Sequence, residues 1–260
     1  MNVSPLELTL LVGTALCAGT IDAIAGGGGL LTVPALLAVG LPPHAALGTN
    51  KGQSMFGSLA AILRYGRAGL VDARAAAYTF PLGFLGAFGG TTAAMWIVPS
   101  VLRPMILILL LLAGALVLFV HPRGGPVARA AGRHATLGMA AAALTIGAYD
   151  GFFGPGTGTF LIVAFVAVAG RTLARASADA KVVNFASNLA AALLFAWHGV
   201  VRWEISLPMA GANLAGGFLG AHLAVRRGDR FIRGVVFVVV LALIAKIARD
   251  MAAEGAIGGR

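Results

Sequence analysis

Asp22 and Asp150 are the residues whose type and placement most suggest chemistry. Each lies in a long apolar stretch just ahead of a glycine cluster, Gly26-Gly27-Gly28-Gly29 in one case and Gly154-Pro155-Gly156-Thr157-Gly158 in the other. An ionisable group at membrane depth is costly and marks an ion site, a proton site or a polar anchor. Two roles are open for this pair: coupling or substrate binding, and capping of the helix that follows by accepting its free N–H groups. The glycines add a second element. Glycine permits tight bends and close backbone approach, and a helix that starts after such a bend points unbonded N–H groups at whatever lies ahead of it, an arrangement suited to an anion. Gly27, Gly28 and Gly29 from the first cluster, and Gly156, Thr157, Gly158 and Thr159 from the second, are therefore candidate substrate contacts.

A second polar set accompanies each bend. Thr49, Asn50, Lys51, Gln53 and Ser54 stand together and are expected to open a helix over 52–63. Asp179, Lys181, Asn184, Ser187 and Asn188 form the counterpart, on or beside an expected helix over 182–198. Lys181, Asn184 and Asn188 fall at i, i+3 and i+7 and so share one helix face. A lysine flanked by amides can hold an anionic head group. The same lysines can instead neutralise the aspartates, or extend to the membrane interface. Candidate substrate contacts from these sets are Asn50, Lys51, Gln53, Ser54, Lys181, Asn184 and Asn188. Gly86/Gly90 and Gly216/Gly220 read as close helix packing through small residues.

Other chemistries lack their residues. The five histidines are scattered, with no metal-ligand spacing. Neither glycine cluster has the spacing of a dinucleotide or Walker loop, and no nucleophile–base set is legible. No enzyme, cofactor or metal is expected. Cys17 is the one cysteine, which excludes an internal disulfide.

The elements that must position these residues follow from composition. Of 260 residues 59% are hydrophobic and 11% charged, against about 25% charged in a soluble domain. So few charges exclude both a water-soluble fold of this size and a disordered chain. The expected class is an all-α polytopic membrane protein. Apolar runs fall at 5–25, 28–40, 44–63, 75–98, 102–121, 135–150, 157–170, 182–198, 204–225 and 231–249. The runs at 28–40 and 157–170 follow the glycine bends and are too short for a span of about 20 residues, so they read as half-helices broken within the membrane. Trp96, Trp197 and Trp203 lie near run ends, as interfacial anchors do.

The chain also repeats itself. Lys51 and Lys181, Gly69 and Gly199, and Arg103 and Arg233 each stand 130 residues apart, Asp22 and Asp150 stand 128 apart, and Phe84-Leu85-Gly86-Ala87 recurs as Phe218-Leu219-Gly220-Ala221. Two homologous halves are expected, 1–121 and 134–260, joined by a polar cytoplasmic linker at 122–133. Basic residues in the short loops decide their relative orientation. If each bend turns the chain back, thirteen of the 19 basic residues fall on one side, in the loops near 64–74, 121–134, 171–181 and 226–233. If it does not, the two sides are nearly balanced. The biased arrangement has inverted halves, about eight transmembrane helices, two re-entrant half-helices and both termini on the periplasmic side. Inverted repeats with broken helices are a transporter architecture. The basic excess belongs to this loop pattern, and nucleic acid is not an expected partner.

These motifs resemble the TauE/SafE family of sulfite exporters. The stretch from Gly19 through Asp22 and Gly26-Gly27-Gly28-Gly29 to Pro34 is similar to the family's first signature, and Leu47-Gly48-Thr49-Asn50-Lys51 fits it too. In the second half, Tyr149-Asp150-Gly151-Phe152-Phe153-Gly154-Pro155-Gly156-Thr157-Gly158-Thr159-Phe160 and Asn184-Phe185-Ala186-Ser187-Asn188 match as well. The resemblance covers nearly the whole chain. It implies a bacterial inner-membrane permease that moves sulfite or an organosulfur anion such as a sulfonate, with the lipid bilayer and a small anion as its partners. Proton coupling through Asp22 and Asp150 is one expectation, and helix capping by them is the other. A homo-oligomer is compatible with the sequence. An anion channel and a non-transporting scaffold or receptor subunit are the alternatives.

Overall fold

The computed structural model describes residues 3–119 and 132–257. Every regular element among them is helical: α1 (Pro5–Ala25), α2 (Gly29–Ala38), α3 (Pro43–Arg67), α4 (Ala73–Met95), α5 (Pro99–Phe119), α6 (Arg133–Phe152), α7 (Thr157–Ala169), α8 (Leu173–Trp197) and α9 (Trp203–Ile257). α9 is interrupted at Gly228, whose φ of 66° and ψ of −164° lie outside the helical region, so the expected runs at 204–225 and 231–249 fall on either side of a break. The expected linker lies outside the described residues over 122–131, and its last residue, Arg133, already begins α6.

Local sequence explains the helix starts. Ser4 and Glu7 form a reciprocal capping box with Pro5 at the first helical position of α1. Asp72 caps α4 by accepting the N–H groups of Arg74 and Ala75. Thr172 caps α8, and the Asp229 carboxylate, just past the break in α9, accepts the Leu173 and Ala174 N–H groups of the same helix. The two short helices begin at the glycine bends. Gly26 and Gly27 have φ of 79° and 90°, and Gly154 and Gly156 have φ of 100° and 87°. These are left-handed conformations that glycine adopts without penalty.

The helices pack in an exchanged pattern. The first helix of each half lies against the fourth helix of the other, α1 on α9 and α6 on α4. Small residues let these backbones approach: Gly216 and Gly220 of α9 face the Leu16 and Thr20 carbonyls, and Gly86 and Gly90 of α4 face those of Leu144 and Ala148. This is the packing role expected for both pairs. α3 packs on α9 and α8 on α4, and α3 and α8 also meet each other, so the third helix of each half lies at the centre.

Those two central helices correct the sequence reading. α3 starts at Pro43, after Pro42 has set an extended turn, so the Thr49–Ser54 cluster lies within the helix and does not open it. α8 starts at Leu173, nine residues before the expected 182. Among the described residues, α1 and α8 are the helices both long and apolar enough to cross a membrane by length and composition. α3 carries the buried polar cluster, and α4 and α6 are rich in Gly, Ala and Thr, which lowers their hydropathy. Trp96 and Trp197 are exposed at the ends of α4 and α8.

Candidate functional site: a cavity where both halves meet

The site begins at the two bends. α1 ends at Ala25, and Asp22 in its last turn accepts the N–H of Gly28 on Oδ1 at 3.2 Å. This is a capping contact to the start of α2. Asp150 lies at the equivalent place near the end of α6 but bonds differently. Its carboxylate accepts the Ser187 hydroxyl on Oδ2, and Thr157 Oγ1 lies 3.0 Å from Oδ1. Asp150 therefore holds side chains and, among the described residues, caps no backbone N–H.

Each aspartate also meets the lysine of the other half. Lys51 Nζ donates to Asp150 Oδ1 at 2.7 Å, and Lys181 Nζ donates to Asp22 Oδ2 at 2.8 Å. The Lys51 and Lys181 side chains are 2% and 0% exposed. A buried charge of this kind persists only when paired and hydrogen-bonded. The pairs therefore tie α3 to α6 and α8 to α1, across the boundary between the halves.

The bends themselves touch. A Cβ on Gly26 would stand 2.7 Å from Gly158 Cα, so only glycine fits there. Thr159 Oγ1 donates to the Ala25 carbonyl at 2.9 Å, and Ser177 Oγ donates to that of Ile24 at 3.3 Å. The Tyr65 hydroxyl closes the same region by donating to the Ala23 carbonyl.

Between the bends and the central helices is a small, largely polar cavity of about 30 Å³, with room for a few non-hydrogen atoms. Gly27, Gly28, Gly29, Asn50, Lys51, Ser54, Gly156, Thr157, Gly158, Asn184 and Asn188 line it, together with Asp22 and Asp150. The Asn50 carbonyl oxygen accepts from Thr32 at 2.5 Å and from Gln53 at 3.1 Å, which leaves its NH₂ group to the cavity. Asn188 Nδ2 donates to Ser58 Oγ, 3.4 Å away. α2 and α7 both start on this cavity, so their first N–H groups add positive potential. Its lining combines the Lys51 ammonium and neutral donors with two carboxylates, Asp150 on Lys51 and Asp22 on Lys181 behind the wall.

Three expected contacts sit apart from this lining. Gln53 is spent on Asn50 and Ser54, and Thr159 is spent on the Ala25 carbonyl. Lys181 lies behind Gly158, with Nζ 3.2 Å from where a Cβ on that glycine would be. Asn213 of α9 lines the cavity and was absent from the sequence candidates. Its Nδ2 donates to the Ala15 carbonyl at 3.2 Å.

A second charged cluster lies apart from this cavity. Arg171, in the α7–α8 connection, donates to Asp72 Oδ2 at 2.6 Å and places Nε 3.4 Å from Asp179 Oδ2. The Asp72 N–H donates to Asp179 Oδ1 at 3.0 Å. Arg171 holds the Asp72 carboxyl below its usual range, chiefly through this hydrogen bond. Asp72 and Arg171 border a wider cavity of about 570 Å³ that Arg74, Arg175 and Tyr78 also line.

Known proteins fix the family. The family model described as Sulfite exporter TauE/SafE matches residues 11–247. The chain belongs to the TauE/SafE family. It is a membrane transporter by that membership. Relatives of similar length accompany the match. A probable membrane transporter protein of Haemophilus influenzae is 38% identical over 243 residues, covering 94% of this chain and 95% of the relative. The probable membrane transporter protein YfcA of Escherichia coli K12 is 37% identical, covering 95% and 92%. A probable membrane transporter protein of Xylella fastidiosa is 29% identical, covering 94% and 95%. No solved structure matches.

Proposed function

We propose that the protein is a secondary transporter of a small anion, sulfite or an organosulfur anion such as a sulfonate, in the bacterial inner membrane. One observation carries the reading. The buried Lys51 ammonium and amides from both halves, Asn50 of α3 with Asn184 and Asn188 of α8, line a single cavity at which two helix N-termini also begin, and the buried Lys181 stands behind Gly158 in its wall. Donors from both halves on one shared site are what an alternating-access carrier of an anion needs. The family description supports sulfite as cargo, and the cavity volume favours a small oxyanion over a bulky one.

In this reading about eight transmembrane helices lie in the bilayer, and each glycine bend turns the chain back toward the side it came from. α2 and α7 are re-entrant half-helices, the halves are inverted, and both termini are periplasmic. The exchanged packing of α1 on α9 and α6 on α4, and the mirrored ion pairs, fit two halves related by a twofold operation. Substrate is held by the glycine bends, by Thr157, and by Asn50, Ser54, Asn184 and Asn188, with Lys51 and Lys181 supplying charge and Asp22 and Asp150 serving as proton acceptors. Rocking of one half against the other opens the cavity to each side in turn.

Uptake of labelled sulfite, thiosulfate and a sulfonate into proteoliposomes tests the reading, with protein-free vesicles as the blank. Saturable flux that a pH gradient drives uphill is the expected result. Flux that only follows its own gradient would identify a channel. Binding without flux would point to a receptor subunit.

A further inference from the structure

We infer that the two crossed lysine–aspartate pairs make transport electroneutral: the site takes up one proton for each negative charge on its anion. This rests on the reading of the cavity as the anion site, and it adds a charge stoichiometry to that reading.

The argument starts from what each ammonium lacks. A lysine ammonium has three N–H donors. Lys51 Nζ has one hydrogen-bond partner among the described residues, Asp150 Oδ1, and Lys181 Nζ likewise has one, Asp22 Oδ2. Both lysines are at least nine-tenths buried. Donors in this state call for an acceptor that the protein does not supply; Lys51 lines the cavity where one can lie, and Lys181 stands one layer behind it, against the lining residues Asp22 and Gly158.

The four charges sum to zero, since each lysine is cancelled by its own aspartate. An anion that approached Lys51 while Asp150 stayed ionised would put two like charges beside one cation in low-dielectric surroundings, which is strongly repulsive. A proton on the carboxylate removes that repulsion. It goes to the oxygen that faces the lysine, Asp150 Oδ1 or Asp22 Oδ2, while Ser187 still donates to Asp150 Oδ2 and Gly28 N–H to Asp22 Oδ1. The released ammonium then donates to an anion oxygen. On release the carboxyl gives up its proton and takes the ammonium back. A monoanion opens one pair with one proton and a dianion opens both with two, so the loaded and empty sites carry the same net charge.

The neighbours leave these assignments clear. Among the described residues, Lys181 of α8 is the charged group paired with Asp22, and the Tyr65 phenol of α3 lies near it. Lys51 of α3 is the charged group facing Asp150, with Tyr149 beside it on α6 and the hydroxyls of Thr157 and Ser187 from α7 and α8.

The test is sulfite accumulation in proteoliposomes under a potassium–valinomycin voltage clamp. Voltage reports only the net charge moved, so sulfite's own protonation state does not affect the readout. Accumulation is expected to be unchanged by clamp voltage at zero pH gradient, and to rise about tenfold per unit of pH gradient for each coupled proton. Accumulation that changes by about 50-fold per 100 mV would reveal a full net charge per cycle. It would overturn electroneutrality while leaving anion transport standing. No protein-dependent uptake of sulfite, thiosulfate or a sulfonate would overturn both. In D22N/D150N, whose lysines are freed permanently, anion-induced thermal stabilisation should lose its pH dependence. If that variant does not fold, the wild-type voltage measurement alone decides.

Discussion

Thr49 and Asp179, 130 residues apart, perform the same backbone contact. Thr49 Oγ1 accepts the N–H of Arg202 at 3.1 Å, and Asp179 Oδ1 accepts the N–H of Asp72 at 3.0 Å. Each contact fastens the connection between the third and fourth helices of one half onto the third helix of the other, α8–α9 onto α3 and α3–α4 onto α8. The first is neutral. The second is ionic, because Arg171 joins Asp72 and Asp179. The helical bundle thus carries one uncharged latch and one that salt and acid can loosen.

The ionic latch gives a pH prediction. The folded state lowers the Asp72 pKa below its ordinary value near 3.8. The stability this contributes is complete above that value and is lost as pH falls through the lower folded pKa. Replacing Arg171 by Met should cost about 1–2 kcal/mol at neutral pH and flatten this share of the acid loss. Melting temperatures in detergent, followed from neutral pH down to about 3, check it.

Lys51→Met strands the buried Asp150 carboxylate and should destabilise the fold by about 3–5 kcal/mol. The double change Lys51→Met with Asp150→Leu should recover most of that loss, because both buried charges are gone. Transport should stay absent in the double variant. Thermal unfolding alongside proteoliposome flux separates the two effects. If stability and flux recover together, the pair has no role beyond structure.

Gly26→Ala should fail through the backbone. The residue sits at φ 79°, and an added Cβ collides with Gly158 and Thr159. Strain and overpacking together should cost about 3 kcal/mol or more. Gly13, whose added Cβ would meet nothing within 4 Å, is the matched control and should tolerate alanine. The yield of monodisperse protein after membrane extraction reports the difference.

Asn213→Leu tests the lining residue that α9 supplies. It removes a polar group from the cavity and one hydrogen bond to Ala15. Anion affinity should fall about tenfold, equivalent to about 1.4 kcal/mol, with a stability loss near 1 kcal/mol. Thermal-shift titrations with sulfite check both numbers.

Much of this site is legible in the sequence, because Asp22 and Asp150 announce themselves as charges in apolar runs and the glycine clusters announce bends. The repeat offset also shows that Lys51 and Lys181 are counterparts, but not that each pairs with the opposite half, which is a matter of packing. The start of α3 is obscured because Thr, Asn and Ser near Gly48 and Gly52 look like helix-opening chemistry. Here their polar groups are satisfied inside a continuous helix by Thr32, Arg202 and Ser206. Asn213 escapes because its match at the offset set by Phe84–Ala87 and Phe218–Ala221 is Thr79, a hydroxyl that donates to the Ala75 carbonyl of its own helix, so the repeat comparison does not pair it with a second amide. A lone asparagine in an apolar helix is itself the signal to follow.

The packing of α1 on α9 has a consequence for the order of assembly. Ala15 and its partner Asn213 are 198 residues apart. At a synthesis rate of roughly 5–20 residues per second, α1 waits roughly 10–40 s for the helix its small-residue face is shaped to meet. During that interval the first half cannot complete its own interior, since its first helix and its lysine both need partners not yet made. The newborn chain therefore matures late and all at once, and a truncation after the first repeat should behave as an unfinished protein.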